Sequence, residues 1–499
     1  MLFHDIFAHH PKEREAIIDQ DRSVTYGEFQ DLVERWAAYF EALGVKKGDR
    51  VGLVSKNCLE FIVTYFAVIK AGGVIVPINF QLVPREIAYI VKDTAMKLLV
   101  VKEALPLAEP LQELSAPSLM QITFDELHHA PEQEFVPVSL TETDPSTIIY
   151  TSGTTGKPKG AMLSHGNLYA NARDFMESIP LTAEDTALCV LPMYHCFAWT
   201  VCVAGPLLCG GRIVIQAVYQ FKAAMRLVKQ YGVTIFPGVP AVYRLLHESR
   251  DLDSVDSVRY FISGGAPLGL DLARGFALKF GRPVLEGYGL SEASPVVSVN
   301  LPHKVKVGSI GPTIAHVKAK IINAHGEEVP HFERGELLVK GPNVMLGYLN
   351  LPDATAKAIE KDGWLHTGDV GYMDEDGFIF LVDRVKDMII SSGENVYPRE
   401  IEEVVSAYPG VAECSVIGIP DALRGQAICL YVVPREGETI DKKALRQYLI
   451  GRIAPYKVPR EYFLVESLPK TALGKVRKNV LRDETVAILS KNKFAGRAL

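Results

Sequence analysis

The sequence lacks the cysteine pattern of a secreted or zinc-binding protein. Its seven cysteines form no Cys-x-x-Cys pair, and no histidines lie at zinc spacing from them. An odd number of cysteines without a regular framework is typical of a reducing compartment. Residues 1–5 also lack the basic stretch and apolar core of a signal peptide. We therefore expect a cytoplasmic protein.

The sequence also lacks an excess of positive charge. Its 53 Lys and Arg residues are outnumbered by 59 Asp and Glu residues, giving a net charge of −6. This balance gives no support to a nucleic-acid partner. The 499 residues are 48% hydrophobic and 22% charged, without repeats or low-complexity segments. Such a chain is typical of a globular protein with several domains.

A long uninterrupted apolar run is missing as well. Residues 187–211 contain no charged side chain and are long enough to cross a bilayer. However, Pro192, His195, Gly205 and Pro206 interrupt this stretch. Helix breakers and a histidine in the middle of the run favour a buried core segment. We expect no transmembrane segment.

Short apolar runs alternate with helical patterns over most of the N-terminal three quarters. Residues 51–54 and 73–77 are typical of buried strands, and residues 59–71 between them have helical apolar spacing. Further strand-like runs lie at 98–101, 213–215 and 234–236. This alternation predicts α/β layers with largely parallel sheets. Residues 103–145 are interpreted as a surface excursion.

The pattern changes towards the C-terminus. Residues 321–381 contain strand-like runs between tight turns, which predicts a small β-rich subdomain. A boundary is expected near 384–386. Beyond it, helical patterns at 398–407 and 441–453 and strand-like runs at 412–419, 427–433 and 462–465 predict a small α+β domain.

Residues 150–160 read Tyr-Thr-Ser-Gly-Thr-Thr-Gly-Lys-Pro-Lys-Gly. Glycines allow the backbone to approach a ligand, while the hydroxyl and ammonium groups suit a polyphosphate. The run is not a Walker A loop, because only two residues separate Gly153 from Gly156 and Pro158 follows Lys157. A flexible surface turn is the competing interpretation.

Residues 287–292 read Gly-Tyr-Gly-Leu-Ser-Glu and follow the strand-like residues 283–285, which predicts a loop. Glu292 occupies the place of the third glycine in a dinucleotide fingerprint, so that motif is incomplete. Ala293 likewise prevents a match to the Gly-x-Ser-x-Gly elbow of hydrolases. An ordinary turn with a surface glutamate remains an alternative.

Taken in order, these motifs resemble those of the adenylate-forming superfamily, which includes acyl-CoA synthetases, luciferases and adenylation domains. Residues 263–268, 367–371, 383–387, 393–398 and 468–476 continue the resemblance over nearly the whole chain. The resemblance implies Mg²⁺, ATP and CoA, with an ATP site formed by Thr151, Ser152, Gly153, Thr154, Thr155, Gly156, Lys157, Gly264, Gly265, Ala266, Pro267, Gly287, Tyr288, Gly289, Leu290, Ser291, Asp369 and Arg384.

Further roles are implied by the same resemblance. Lys475 is expected to be the adenylation lysine, and Thr151 and Glu292 the Mg²⁺ ligands, with Glu292 also counted as catalytic. His195 is expected near the acyl pocket, although a core histidine is the competing interpretation. Lys386 would be the pivot of a hinge at 384–386, and Gly393 would line the thiol tunnel.

The resemblance implies a large N-terminal domain, residues 1–383, of layered α/β subdomains with the small β-rich subdomain. A small mobile α+β C-terminal domain, residues 387–499, would follow the hinge. The expected activity is that of an acyl-CoA synthetase working through an acyl-adenylate, with the small domain rotating between the two half-reactions. The protein is expected to be a monomer or homodimer.

Residues 389–395 and the apolar stretch 196–208 look most like those of bacterial medium- or long-chain fatty acid ligases. Such acids are therefore the first substrate prediction. Aryl acids such as cinnamates or benzoates are an alternative. Some relatives carry a lysine where this chain has Ile390, so no role of such a lysine is expected here. A hypothesis from another functional class is an acyl-adenylating enzyme that loads a carrier protein instead of CoA.

Overall fold

The structure is a computed structural model that describes residues 1–131, 133–151, 158–249, 255–384, 387–391, 394–421, 425–450, 452–470 and 474–495, without the side chains of 384, 394, 395, 425 and 487–495. The strands in these ranges are β1 (Glu15–Asp19), β2 (Arg22–Thr25), β3 (Arg50–Val54), β4 (Val74–Ile78), β5 (Leu98–Val101), β6 (Met120–Thr123), β7 (Pro145–Thr151), β8 (Lys159–Ser164), β9 (Thr186–Cys189), β10 (Arg212–Ile215), β11 (Ile235–Gly238), β12 (Tyr260–Ser263), β13 (Val284–Gly289), β14 (Val296–Val299), β15 (Lys318–Ile322), β16 (Gly335–Lys340), β17 (Gly347–Tyr348), β18 (Leu365–Met373), β19 (Ile379–Arg384), β20 (Ile389–Ser391), β21 (Glu394–Val396), β22 (Val411–Asp421), β23 (Gly425–Pro434) and β24 (Glu461–Leu464).

The helices are α1 (Tyr26–Ala42), α2 (Leu59–Lys70), α3 (Pro84–Thr94), α4 (Ala108–Glu113), α5 (Phe124–His128), α6 (His165–Ser178), α7 (Cys196–Ala198), α8 (Gly205–Cys209), α9 (Phe221–Tyr231), α10 (Pro240–Glu248), α11 (Leu270–Phe280), α12 (Pro352–Ala358), α13 (Pro398–Ser406), α14 (Lys442–Leu449) and α15 (Lys478–Ala495). Residues Trp199–Ala204 form a π-helical segment between α7 and α8, and short 3₁₀ helices lie at Phe3–Asp5, Ser291–Ala293 and Pro455–Lys457.

Two compact units divide the chain. The first comprises Met1–Ala319 and Leu338–His366, and the second comprises Lys320–Leu337 and Thr367–Leu499. The sequence places its boundary at 384–386, and the hinge expected there stays a prediction, since residues 385 and 386 lie outside the described residues.

The first unit contains a seven-stranded sheet in the order β17-β8-β7-β4-β3-β5-β6. The strands β3 to β7 run parallel, whereas β8 and β17 are antiparallel to their neighbours. Every residue of β4 is buried, as expected for a parallel strand with both faces covered. This sheet confirms the predicted α/β architecture.

The second sheet of this unit has eight strands in the order β14-β13-β12-β11-β9-β10-β1-β2. Its six inner strands are parallel, and the edge strands β2 and β14 pair antiparallel. The uncharged stretch 187–211 begins within β9, in the interior of this sheet, and continues into the helical run from α7 to α8.

Aromatic packing buries that helical run. The ring of Trp199 stacks on Tyr65 of α2 with 3.7 Å between centroids, and Phe61 and Phe66 lie beside it. Val201 and Val203 are completely buried. The expectation of a buried core segment is therefore confirmed. None of the helices in the described part of the chain is long and apolar enough to span a bilayer.

The interpretation of residues 103–145 as a surface excursion is partly wrong. The strand β6 pairs parallel with β5 and forms the edge of the seven-stranded sheet. Ile122, Phe124 and Leu127 are buried. Four residues in β6 were too few to show a clear period in the sequence, and their burial depends on α5 packing behind them.

Two further sheets lie wholly or partly in the second unit. A four-stranded sheet has the order β15-β16-β18-β19 and corresponds to the predicted β-rich subdomain. A second sheet has the order β21-β20-β23-β22, with β24 parallel to β23. Side chains of α13 and α14, including Ile401, Val405 and Leu445, form its core with Leu430 of β23. This mixture of antiparallel strands and helices agrees with the predicted α+β class.

Candidate active site

The glycine- and threonine-rich run lies between two paired strands of the first unit. Thr151 at the end of β7 is opposite Lys159 at the start of β8. Residues 152–157, which include the expected ATP contacts Ser152, Gly153, Thr154, Thr155, Gly156 and Lys157, lie outside the described residues. The described residues end with β7 at Thr151 and resume at Pro158, directly before β8.

A tyrosine connects this hairpin to the expected magnesium ligand. Tyr348 of β17 pairs with Ala161 of β8, and its hydroxyl donates a hydrogen bond of 2.8 Å to Oε1 of Glu292. The ammonium of Lys159 lies 5.0 Å from the centroid of the Tyr348 ring. Thr151, Lys159, Tyr348 and Glu292 therefore form one continuous series of contacts.

Backbone hydrogen bonds hold the chain on both sides of Tyr348. The backbone N–H of Met345 donates to the carbonyl of Glu292, whereas Leu346 and Leu349 donate to carbonyls of Met162 and Gly160 in β8. The segment 345–349 thus holds both Glu292 and the hairpin of β7 and β8. Their separation is therefore fixed by backbone hydrogen bonds. A carboxylate held in this way is a suitable oxygen ligand for Mg²⁺.

The Gly-Tyr-Gly motif lies on a strand and not, as expected, in a loop. The strand β13 continues to Gly289 and pairs antiparallel with β14. A Cβ atom at Gly289 would lie 2.2 Å from the carbonyl oxygen of Pro295, and one at Gly287 would lie 3.1 Å from that of Ser298. The missing side chains thus permit close strand pairing, a requirement that the motif alone did not reveal.

We predict that Gly289→Ala greatly destabilises the protein, because the added methyl group overlaps backbone that cannot move independently. We expect a fall in Tm of more than about 5 °C, or loss of soluble protein. Gly269→Ala is the matched control, since nothing lies within 4 Å of its Cβ position. An unchanged Tm for Gly289→Ala would contradict the pairing of β13 with β14.

The second glycine loop, residues 264–267, follows β12. Gly265 has a φ of +78°, a left-handed conformation that favours glycine. The loop ends where the N–H of Leu268 donates a 3.0 Å hydrogen bond to Oε1 of Glu286, a buried residue of β13. The carboxylate of Glu286 therefore fixes this loop beside Gly287, Tyr288 and Gly289.

The segment containing His195 lies against the same loop. A Cβ atom at Gly264 would lie 3.0 Å from the ring of Phe197, so this ring packs directly on the Gly264 backbone. The thiol of Cys196 is 3.3 Å from the hydroxyl of Ser291, which follows Leu290. The expected acyl-side and nucleotide-side segments are therefore in contact.

His195 itself is half-buried. Its Nδ1 accepts a hydrogen bond of 3.4 Å from the N–H of Phe197 at the start of α7. Burial lowers the pKa of His195 to about 4, because desolvation disfavours the charged imidazolium. The ring is therefore neutral near pH 7. It accepts a hydrogen bond at the start of a helix, and its expected place near the acyl pocket stays a prediction.

Asp369 belongs to the second unit and lies on β18, not in the expected loop. It is opposite Arg384 of β19, and only 5% of the residue is exposed. The N–H of Asp369 donates to Oγ1 of Thr367, which in turn donates to the carbonyl of Leu337. Gly368 has a φ of +70°, a conformation that favours glycine, and the pairing of β18 with β19 shifts register between Val370 and Gly371. The side chain of Arg384 is outside the description.

Lys475 is also in the second unit and is exposed. It follows Gly474, whose φ is +79°, and precedes Val476, which forms a bridge with Lys470. The N–H of Arg477 donates to the carbonyl of Pro469. These pairings hold residues 469 and 470 beside residues 476 and 477, and Lys475 directly precedes the paired Val476. Lys386 and Gly393 lie outside the described residues.

Sequence reasoning did not assign Lys159, Tyr348 or Glu286. Tyr348 has no local signal, because its partner Glu292 is 56 residues away. Glu286 did carry one, since an acidic residue directly after the buried Val284 and Leu285 must find buried hydrogen-bond donors. Lys159 was part of the phosphate-binding run but was given no role of its own.

Comparisons with known proteins show the family of this chain. The profile of the AMP-binding enzyme family matches residues 3–349, and that of the AMP-binding enzyme C-terminal domain matches residues 400–475. Feruloyl-CoA synthase from Amycolatopsis sp. is 38% identical over 92% of this chain and 94% of its own length. Long-chain-fatty-acid–CoA ligase from Bacillus subtilis (strain 168) is 33% identical, over 95% of this chain and 92% of its own.

A solved structure shows the same fold. The o-succinylbenzoate coenzyme A synthetase from Bacillus subtilis, in complex with ATP and a magnesium ion, has a TM-score of 0.87 and 30% identity, covering 96% of this chain and 98% of that one. The fold and the site define an adenylate-forming enzyme. The chain belongs to the AMP-binding enzyme family, as an AMP-forming acyl-CoA synthetase that works through an acyl-adenylate.

Proposed function

We propose that this acyl-CoA synthetase activates a compact aryl acid of the cinnamate or benzoate type. The observation that carries the proposal is the aromatic filling behind the His195 segment. Trp199, Tyr65 and Phe61 occupy the interior where an elongated acyl chain would have to continue. An acid held between His195 and the Gly264 loop must therefore end before Trp199.

A small cavity lies beside these aromatic residues. A cavity lined by Tyr65, Met193, Cys196 and Trp199 offers about 10 Å³ to the centre of a water molecule. That is room for roughly one water molecule, whereas ligand pockets usually measure about 300–1,000 Å³. The Phe197 ring, seated on the Gly264 backbone, offers an aromatic surface to a flat substrate. The 38% identity with feruloyl-CoA synthase supports the same substrate class.

Medium- or long-chain fatty acids are the second candidate. The wall contributed by residues 196–204 has no charged side chain, which also suits an alkyl group. Fatty-acid ligases match at 33% identity over 95% of the chain. Such a substrate requires the Trp199 ring to move from its stack on Tyr65.

The proposed chemistry has two half-reactions. The carboxylate of the acid attacks the α-phosphorus of ATP and pyrophosphate leaves, after which the CoA thiol displaces AMP from the acyl-adenylate. In the first step, the phosphate loop and Lys475 reduce the repulsion between the two anions. Asp369 of β18 binds the ribose, with Arg384. Rotation at Lys386 then brings the loop containing Gly393 into use for the thiol.

Mg²⁺ fits the donor set of the first unit. Glu292 and Thr151 offer hard oxygen ligands, and the hydroxyl of Tyr348 fixes the orientation of the Glu292 carboxylate. When bound, the ion supplies charge neutralisation at the phosphates. The cytoplasmic location and the monomeric or homodimeric state remain predictions.

The test is AMP release from ATP with aryl acids and with C2–C18 fatty acids, each with and without CoA. We expect CoA-dependent AMP release to be most efficient with ferulate, cinnamate or benzoate. A higher kcat/KM for C12–C18 acids would overturn the proposed substrate class. AMP release without CoA-dependent turnover would move the assignment to carrier loading.

A further inference from the structure

Asn57 lies between the end of β3 and the start of α2, and only 5% of it is exposed. Its amide nitrogen donates hydrogen bonds to the carbonyls of Leu191, at 2.9 Å, and Gln216, at 3.2 Å. Its amide oxygen accepts one of 2.8 Å from the N–H of Met193. Three hydrogen bonds thus join one buried side chain to two backbone segments.

These segments lie at the ends of parallel strands. Residues 191 and 193 follow β9, and residue 216 directly follows β10, both in the eight-stranded sheet. Asn57 itself follows β3 in the seven-stranded sheet. In open α/β sheets, ligands bind outside the carboxyl ends of the strands. Asn57 therefore connects the ligand-binding ends of both sheets within the first unit.

The hydrogen bonds of Asn57 hold the entrance to the His195 turn. The N–H of His195 donates to the carbonyl of Pro192, so the turn starts between Leu191 and Met193, the two residues that Asn57 fixes. The side chain of Met193 also lines the small cavity beside Trp199.

The far end of the same segment is held by the helix that follows Asn57. Tyr65 of α2 stacks on Trp199, and the hydroxyl of Tyr65 lies 2.6 Å from Oγ1 of Thr147 in β7. The β3–α2 element therefore supports the acyl-side segment at both ends. Asn57 holds one end through hydrogen bonds, and Tyr65 holds the other by stacking on Trp199.

We propose that Asn57 is a positioning residue for the acid substrate. It contacts neither acid nor nucleotide, but sets the position of Met193, His195 and Phe197, which face the acid. The proposal rests on the proposed function, in which the His195 segment borders the acid pocket. A hydrophobic residue at position 57 would leave the Met193 N–H and two carbonyls unpaired in the interior.

Asn57→Asp is the most informative variant, because it keeps the shape and the acceptor for Met193. The introduced carboxylate repels the carbonyls of Leu191 and Gln216, so the turn shifts. We expect the KM for the acid to rise about ten-fold or more at pH 8, with the KM for ATP changed less than about two-fold.

A pH series supplies a readout that a merely structural role would not move. Burial raises the pKa of an introduced carboxyl group, and its protonated form donates to one of the two carbonyls. We therefore expect the acid KM of Asn57→Asp to fall towards the wild-type value between pH 8 and pH 6. The wild-type acid KM, measured in parallel, corrects for pH effects common to both enzymes.

Gln121→Leu is the matched control. Gln121 also clamps a backbone segment, since it accepts from the N–H of Leu105 and donates to its carbonyl, but it lies on the edge strand β6. We expect its Tm to fall without a change in the acid KM. Asn57→Ala tests the complete loss of the clamp, and Tm is measured for every variant.

The outcomes separate the two proposals. Wild-type AMP release that no acid stimulates would overturn the proposed function and with it the role of Asn57. A normal wild-type enzyme whose Asn57→Asp variant changes the KM for acid and ATP equally, or changes only Tm, would overturn the role of Asn57 alone. His195→Ala provides the reference, because the proposed pocket requires its acid KM to change.

Discussion

Lys475→Ala is expected to lower the rate of acid-dependent AMP formation by about 10²–10³-fold. The ammonium group can offset negative charge that develops between the acid and the α-phosphate, and loss of a single such group typically has an effect of this size. The residue is exposed and lies outside the core, so its removal should leave the fold intact. The measurement is single-turnover formation of the acyl-adenylate.

The same variant should retain the second half-reaction. With synthetic acyl-adenylate and CoA, we expect thioester formation within a few-fold of the wild-type rate, because that step does not use Lys475. Lys470→Ala is the matched control, since Lys470 forms a bridge with Val476, the neighbour of Lys475. Its ammonium forms an ion pair with Glu413, of the kind worth about 0–1 kcal/mol. Equal losses in the two lysine variants would contradict a specific role of Lys475.

Glu292→Gln is expected to lower adenylate formation by about 10²-fold and to raise the Mg²⁺ concentration needed for half-maximal rate. The amide keeps an acceptor for the Tyr348 hydroxyl, so the contact with the segment 345–349 is retained. What is lost is the negative charge. The measurement is the Mg²⁺ dependence of the ATP–pyrophosphate exchange rate.

Two further variants make this prediction specific. Tyr348→Phe removes the 2.8 Å hydrogen bond to Glu292 but keeps the carboxylate, so we expect a smaller effect, about ten-fold. Glu113→Gln, at an exposed position of α4, is the control and should behave as wild type. An unchanged Mg²⁺ dependence in Glu292→Gln would show that this carboxylate does not bind the ion.

Much of the strand and helix pattern could be predicted from the sequence. The predicted strands 51–54 and 98–101 and the helix 59–71 agree with β3, β5 and α2 to within a residue at each end. These elements are apolar over their whole length, and burial on both faces makes the pattern strong. The edge strand β6 was missed, because four residues with one buried face carry a weak pattern.

The glycine motifs show a different limit. Sequence alone indicates that Gly287, Gly289 and Gly368 are needed, but not why. In the structure, a Cβ atom at Gly289 would lie 2.2 Å from the carbonyl oxygen of Pro295. Gly368 adopts a φ of +70° within a strand. Both positions are typical of loops because glycine is most often a turn residue, whereas in the structure Gly289 is needed for close pairing with β14 and Gly368 for its left-handed backbone.

The sequence by itself determined the chemistry of this protein. The hydroxyl- and lysine-rich run 150–160, Glu292, Asp369 and Lys475 are the local signals from which phosphate, metal and ribose contacts are predicted, because such recognition needs particular side chains at short spacing. The tertiary structure decided which residues hold those groups in place. Asn57 with Met193, Tyr348 with Glu292, and Trp199 with Tyr65 are pairs from distant parts of the chain, and only folding brings them into contact.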